Sequence, residues 1–149
     1  MKTIMKVSDI IQTKGSVVKT VRPEASAREV SVRLQADQIG AMVVSDDGKS
    51  IDGIVTERDL AYGLAAHGSE LPTMPVSSLM TKAVIVCSPD ESITHVMKLM
   101  TQRRVRHLPV REGAKLVGII SIGDVLKHRL DELELEANVM RDYAVAAKR

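Results

Sequence analysis

Two heptapeptides share one chemical pattern. Gly53–Asp59 reads GIVTERD and Gly118–Asp124 reads GIISIGD, and each ends an apolar run with a hydroxyl followed three residues later by a carboxylate. An ionised carboxylate only accepts hydrogen bonds, so one Asp can take both vicinal hydroxyls of a ribose. Such charge-assisted bonds are about twice as strong as neutral ones. Asp59 and Asp124 also fall in the first turn of an expected helix, where the helix end favours negative charge. Capping accounts for either Asp alone, but not for the same hydroxyl-to-carboxylate spacing after a buried strand in both. Thr56 and Ser121 sit where strand gives way to helix. Their hydroxyls and the nearby backbone N–H groups can cap the helix, face a ribose or phosphate, or do both. Gly53 and Gly118 either begin a strand or allow a close backbone approach; the sequence does not choose.

A basic run, Arg103-Arg104-Val105-Arg106-His107, is the other candidate. Taken blindly, such a run is a solvated face, yet the planar fork of donors on Arg also suits phosphate. Arg58, inside the first heptapeptide, has the same chemistry. Catalytic signatures are missing from the sequence: there is no Walker loop, no GxGxxG and no GxSxG elbow, since Ser121 lies in GIISIGD. His67, His95, His107 and His128 form no HExxH or other short metal pairing, and a single cysteine, Cys87, excludes an intramolecular disulfide or a cysteine-rich zinc site. No enzyme activity and no metal are expected.

The elements that must position these groups come in two copies. The heptapeptides are 65 residues apart, while Val21-Arg22-Pro23-Glu24 matches Cys87-Ser88-Pro89-Asp90, and Ile39–Val44 matches Val105–Val110, at an offset of 66. The odd residue falls in a turn (Ser45–Lys49 against Arg111–Ala114), where a length change is cheapest. Each copy reads as strand, helix, strand, strand, helix. In the first, Val17–Val21 is a β-branched strand ended by Pro23. Ser26-Ala27-Arg28-Glu29 has capping-box spacing, and Ala27, Val30 and Leu34 form an apolar stripe with Gly40 as C-terminal cap. Ala41–Val44 and Ile51–Val55 flank a hairpin turn at Asp46-Asp47-Gly48, and the next helix carries Leu60 and Leu64 and closes near Gly68. The second copy repeats this with strand Val84–Cys87, helix Glu91–Gln102 turning Ile93, Val96, Met97 and Met100 inward, a hairpin at Gly113 and strand Leu116–Ile120. Leu71–Pro75, with two prolines, is a stiff connection.

Beyond the second copy the helix continues. Leu126, Leu130, Leu133, Ala137, Met140 and Ala144 are spaced alternately four and three apart, an apolar seam on a 3.5-residue period flanked by charge. It can pack on the protein's own body or on a partner helix, and its length favours a partner.

Composition sets the limits. The 149 residues are 44% hydrophobic and 27% charged, as in a globular chain of one domain or two half-size units. Phe and Trp are absent and Tyr occurs twice, so the core must be Val, Ile, Leu, Met and Ala. Base-stacking platforms for single-stranded nucleic acid are therefore lacking, and a net charge of +2 does not argue for nucleic acid. No apolar run approaches the roughly 20 residues of a membrane span. The basic start MKTIMKVSDIIQTKG has no apolar core of a secretory signal. A cytoplasmic location, with neither membrane nor nucleic acid as partner, is expected.

A strand ending Gly-apolar-apolar-Thr/Ser-x-x-Asp, about ten residues after an apolar "h-P-V" strand, resembles the CBS domain, named for cystathionine β-synthase. Both copies match, RHLPVREGAKLVGIISIGD most fully, over roughly Val7 to Leu130. The resemblance implies an α/β (α+β) fold of two tandem β-α-β-β-α repeats with pseudo-twofold symmetry, a Bateman module, plus a C-terminal helix. On that basis residues 7–68 form repeat 1, 69–75 a linker, 76–130 repeat 2, and 131–149 a C-terminal helical extension. It also implies up to two clefts for adenosine ligands: AMP, ADP, ATP, NAD or S-adenosylmethionine. The first copy has Ala41-Met42-Val43 where the second has His107-Leu108-Pro109, which leaves equal affinity at the two clefts open.

Within such clefts Asp59, Asp124, Thr56 and Ser121 are the ribose candidates, and Arg58, Arg104 and Arg106 the phosphate candidates. Without aromatics an adenine must be clamped by aliphatics, with Val18, Ile39, Val84 and Leu108 as walls. By family analogy its edge is read by backbone groups around Met42 and Leu108, with His107 and Pro109 in the same pocket. The expected function is a regulatory sensor that binds an adenine nucleotide and signals through conformational or oligomeric change, as a homodimer and with an unidentified protein partner open. The alternative is a ligand-free dimerisation scaffold.

Overall fold

Helix starts follow from local chemistry. In the computed structural model, which describes residues 4–15 and 17–148, Ser26 caps α2 (Ala27–Asp37), its hydroxyl accepting the Glu29 N–H at 3.1 Å. Ser92 caps α4 (Ile93–Arg103) in the same way, accepting from the His95 N–H at 3.1 Å. Thr56 and Ser121 head α3 (Glu57–His67) and α5 (Ile122–Ala147). The other elements are α1 (Val7–Lys14), β1 (Thr20–Val21), β2 (Ala41–Val44), β3 (Gly53–Thr56), β4 (His107–Glu112) and β5 (Lys115–Ser121). The first three residues of the basic N-terminal stretch lie outside the described residues.

The chain folds as two compact units. One comprises 17–86 and 109–119. In it β1 runs parallel to β2, and β2 pairs antiparallel with β3, in register from Ala41 opposite Thr56 to Val44 opposite Gly53. Val21, Val30, Leu34, Met42, Val44, Val55 and Val76 form its core, with Leu60 and Met80 packed on the edge. Residues 68–73 and 76–78 are short 3-10 turns, the first containing Pro72, so the proline-bearing connection is ordered structure.

The second unit comprises the described residues of 1–16, 87–108 and 120–149. Its core is Val7, Ile10, Ile93, Val96, Met100, Leu108, Ile120 and Val125, each essentially inaccessible. The N-terminal segment is stitched into it. Val7 and Ser8 N–H groups donate to Glu91 and Pro89 carbonyls, both at 2.9 Å, and the Ile93 N–H donates to the Met5 carbonyl at 3.1 Å. The Met5 N–H donates to Glu132 Oε2 at 2.8 Å, and Arg129 donates to the other oxygen of that buried carboxylate. α1 thus hydrogen-bonds to the second sequence copy. The 74–77 segment makes the equivalent set in the first unit, where the Val76 and Ser77 N–H groups donate to the Ala25 and Pro23 carbonyls at 2.7 and 3.1 Å and the Ala27 N–H donates to the Met74 carbonyl at 2.9 Å. Strands β4 and β5 pair as a separate two-stranded sheet.

Four local expectations change. The first strand is Thr20–Val21 rather than Val17–Val21, and Val17 is 86% exposed. Val84–Cys87 is not a strand; only Cys87 makes an isolated bridge. In both places β-branched composition met no full partner edge, and pairing rather than propensity decides a strand. The α2 C-cap is Gln38, in the left-handed region at φ 54°, not Gly40. The strand after the first hairpin begins at Gly53 rather than Ile51.

Candidate functional site

Both heptapeptides build the same device. The Thr56 N–H donates to Asp59 Oδ2 at 2.9 Å, and the Asp59 N–H donates back to Thr56 Oγ1 at 3.4 Å. In the second copy the Ser121 N–H reaches Asp124 Oδ2 at 2.8 Å and the Asp124 N–H reaches Ser121 Oγ at 3.1 Å. These are reciprocal capping boxes, each satisfying two otherwise orphaned donors, so capping does account for the hydroxyl-to-carboxylate spacing in both copies, contrary to the expectation from sequence. The copies agree further. The Glu57 N–H donates to the Gly40 carbonyl at 3.0 Å, and the Ile122 N–H to the Arg106 carbonyl at 2.8 Å. Each helix start is therefore tied to the residue leading into the preceding apolar strand.

The two carboxylates differ in their neighbours. Asp59 Oδ1 accepts a long bond from Thr81 Oγ1 at 3.4 Å. Asp124 Oδ2 forms an ion pair with Lys14 Nζ at 2.8 Å. Burial alone would raise the Asp124 carboxyl. The Lys14 ammonium and the Ser121 N–H outweigh it and hold the group below the ordinary carboxylate value. Lys14 and Thr81 were invisible to sequence reasoning. Lys14 lies 110 residues from Asp124 and belongs to no motif.

Gly53 answers one question left open by the sequence. A Cβ there would lie 2.5 Å from Met80 Sδ and 3.0 Å from the Thr81 carbonyl oxygen. The glycine is required by close approach of the chain's own 80–81 segment, which bridges to Ile54. Gly118 is buried.

The remaining candidates divide by exposure. Arg58, Arg104 and Arg106 are exposed, and Arg104 is the α4 C-cap at φ 54°. Val18, Val84 and His107 are half-buried and Ile39 is 36% exposed, so each retains surface for a ligand. Met42 and Leu108 are at 0% exposure and Pro109 is buried; as apolar residues in strands they were drawn into the cores, and they can only back a pocket wall. An open groove of about 470 Å³ is lined by Ser31, Gln35, Gln38, Ile39, Gly40 and Glu57 among others. It shares Ile39 with the expected site but not Thr56, Arg58 or Asp59.

Duplicated capping boxes at the ends of apolar strands, each locked to the preceding strand, define a tandem module, and comparison with known proteins agrees. The CBS domain profile matches residues 7–66 and again 76–131. The chain belongs to the CBS-domain family. It is 30% identical over 123 residues to the CBS domain-containing protein YhcV of Bacillus subtilis, covering 83% of this chain and 86% of that one. The crystal structure of the CBS-domain containing protein ATU1752 from Agrobacterium tumefaciens matches with a TM-score of 0.80 and 44% identity, over 84% of this chain and 99% of that one. The CBS domain pair of protein MJ0100, solved in complex with 5′-methylthioadenosine and S-adenosyl-L-methionine, shares the fold at a TM-score of 0.73 and 23% identity, over 87% of this chain and 99% of that one. No helix among the described residues is long and apolar enough to cross a membrane.

Proposed function

We propose that this protein is a regulatory nucleotide-sensing module rather than an enzyme: a cytoplasmic homodimer whose repeats, over 7–68 and 76–130, bind an adenosine nucleotide (AMP, ADP, ATP or NAD). The observation that carries it is the duplication of the carboxylate device. Each Asp is held on the first turn of a helix with Oδ2 given to the cap, and a carboxylate has about four acceptor positions in all. Oδ1 of Asp59 and of Asp124 is the ribose acceptor in this reading, with the Thr56 and Ser121 hydroxyls beside it. Arg58, Arg104 and Arg106 take phosphate in this reading, and Val18, Ile39, Met42, Val84, His107, Leu108 and Pro109 are the adenine candidates. The adenosine moiety common to the two MJ0100 ligands supports this ligand class.

One observation favours the second reading, a ligand-free dimerisation scaffold: both carboxylates already satisfy their helix starts. Mass spectrometry of the purified, denatured protein separates the two. A co-purifying adenosine nucleotide supports the sensor. If none co-purifies, and calorimetry with AMP, ATP, NAD and adenosine gives no heat of binding, the scaffold reading replaces it.

A further inference from the structure

The C-terminal half of α5 carries the apolar seam, and the structure decides which way that seam faces. α5 packs into its own unit, against α4 and α1, through Val125, His128 and Glu132, all buried. Those three lie on one face at spacings of three and four. Leu126, Leu130, Leu133 and Met140 are 46%, 65%, 43% and 68% exposed. At 3.6 residues per turn the seam lies roughly 125° around the helix from the packed face. The seam is off the face that α5 packs into its own unit, and an apolar strip long enough for nearly three heptads is left exposed.

The flanking charges state what covers it. With Leu126, Leu133 and Met140 at d and Leu130, Ala137 and Ala144 at a, the e positions are Lys127, Glu134 and Arg141, and the g positions are Arg129, Glu136 and Tyr143. In a parallel pair each g residue meets the e residue five further along the partner. Arg129 then faces Glu134 of the other copy, and Glu136 faces Arg141, both attractive and both made twice by symmetry. Arg129 already binds Glu132, but its fork has further donors. In an antiparallel pair e meets e and g meets g, which sets Lys127 against Arg141, Glu134 against Glu134 and Glu136 against Glu136. Every one of those is repulsive except the neutral Arg129–Tyr143 pairing.

We infer that α5 is the recognition helix of the dimer, pairing with α5 of a second copy as a parallel, in-register coiled coil whose orientation is set by the Arg129–Glu134 and Glu136–Arg141 contacts. This rests on the homodimer reading above and adds its surface and polarity. The occupant is a second copy because the charge pattern is complementary to itself in one orientation and not the other. Short a-position alanines at 137 and 144 let the helices approach closely toward the C-terminal end.

The full-length chain tests this at the exposed Leu133, Arg141 and Ala144 and at the half-buried Glu136. Glu136→Arg and Arg141→Glu should each raise the dimer dissociation constant on the order of tenfold, from two exposed charge pairs turned repulsive, and the double variant should restore it. Leu133→Glu should give a folded monomer by circular dichroism and sedimentation. Ala144→Cys should form an intermolecular disulfide on mild oxidation, since a faces a only in the parallel coil, while the buried Cys87 cannot substitute for it. A tighter dimer in Arg141→Glu, or no disulfide in a dimeric Ala144→Cys protein, overturns the parallel coil. A dimer that survives Leu133→Glu overturns the α5 surface and leaves the homodimer reading standing. A monomeric wild-type protein overturns both.

Discussion

Replacing Asp124 by Ala removes an acceptor for a ligand hydroxyl and, at the same time, the acceptor that closes the first turn of α5. The two losses are read by different measurements. Loss of the cap should cost about 1 kcal/mol in chemical denaturation. Loss of hydrogen bonds to a charged group should weaken adenosine-nucleotide binding by about 1.5–3 kcal/mol, roughly 10- to 150-fold in calorimetry. Unchanged affinity in folded Asp124→Ala protein would make the motif a helix cap and nothing more. Arg104→Gln and Arg106→Gln should instead weaken phosphorylated ligands and leave adenosine unaffected, because only the phosphate loses a partner; equal losses for both would remove the phosphate role. The Asp124 carboxyl is also held low in the folded protein, by Lys14 and Ser121 against the opposing effect of burial. Its stabilisation is present above the unfolded value of about 3.9 and lost as pH falls through the lower folded value. The denaturation midpoints of wild type and Asp124→Asn should therefore converge as pH is lowered through that window; a constant gap would contradict the Lys14 pairing. Cys87 behaves oppositely. Burial, and then the Glu91 charge, push its thiol up to about 12, so it should stay unreactive toward disulfide reagents at pH 8 until denaturant is added. Any stability it contributes is complete below the unfolded thiol value of about 8.5 and falls as pH rises toward the folded one.

At the scale of elements, β3 and the 80–81 segment are packed too closely for any side chain at Gly53. The two nearest Met80 side-chain atoms would stand 2.5 and 2.8 Å from a Cβ there, and the Thr81 carbonyl oxygen 3.0 Å. Gly53→Ala should destabilise the protein by about 1–3 kcal/mol, the usual cost of overpacking. Met80→Ala in the same chain should recover part of that loss, because the thioether can be removed and the carbonyl cannot. An additive double-mutant cycle would show that the contact does not set the glycine. The N-terminal segment makes a second element-level case. Its backbone joins α1 to α4 and to the buried Glu132 on α5. Deleting the segment through Lys14 would leave the Glu132 carboxylate without the Met5 N–H, and burying an under-bonded carboxylate is costly. Loss of cooperative unfolding in the second unit is the expected outcome by hydrogen exchange; unchanged protection of α4 and α5 would contradict it.

For the whole molecule, the two units draw on separate stretches of chain, and the N-terminal residues belong with the second copy rather than the first. That exchange places Lys14 on the Asp124 carboxylate, so a ligand reaching Asp124 meets a lysine, whereas one reaching Asp59 meets the Thr81 hydroxyl. The two sites should bind with different affinities, read as two-step calorimetric isotherms for the wild type that collapse to one step in Asp59→Ala or Asp124→Ala. Superimposable single-step curves in all three proteins would refute the difference.

The sequence alone determined whatever repeats or is local. Two copies, the capping chemistry at Ser26, Thr56 and Ser121, strand β2 and the helical tail all follow from spacing and side-chain type, which act over a few residues. Family membership followed from the same heptapeptides. Tertiary structure decided what depends on distant partners. It shortened Val17–Val21 and dissolved Val84–Cys87 as strands, for want of a pairing edge. It buried Met42 and Leu108 in the cores, brought Lys14 to Asp124 across 110 residues, and left Leu126, Leu130 and Leu133 of α5 exposed. The physical reason is common to all of these. A cap or an amphipathic stripe is written in neighbouring side chains, whereas burial, strand pairing and an ion pair each need a second segment whose position only the folded chain supplies.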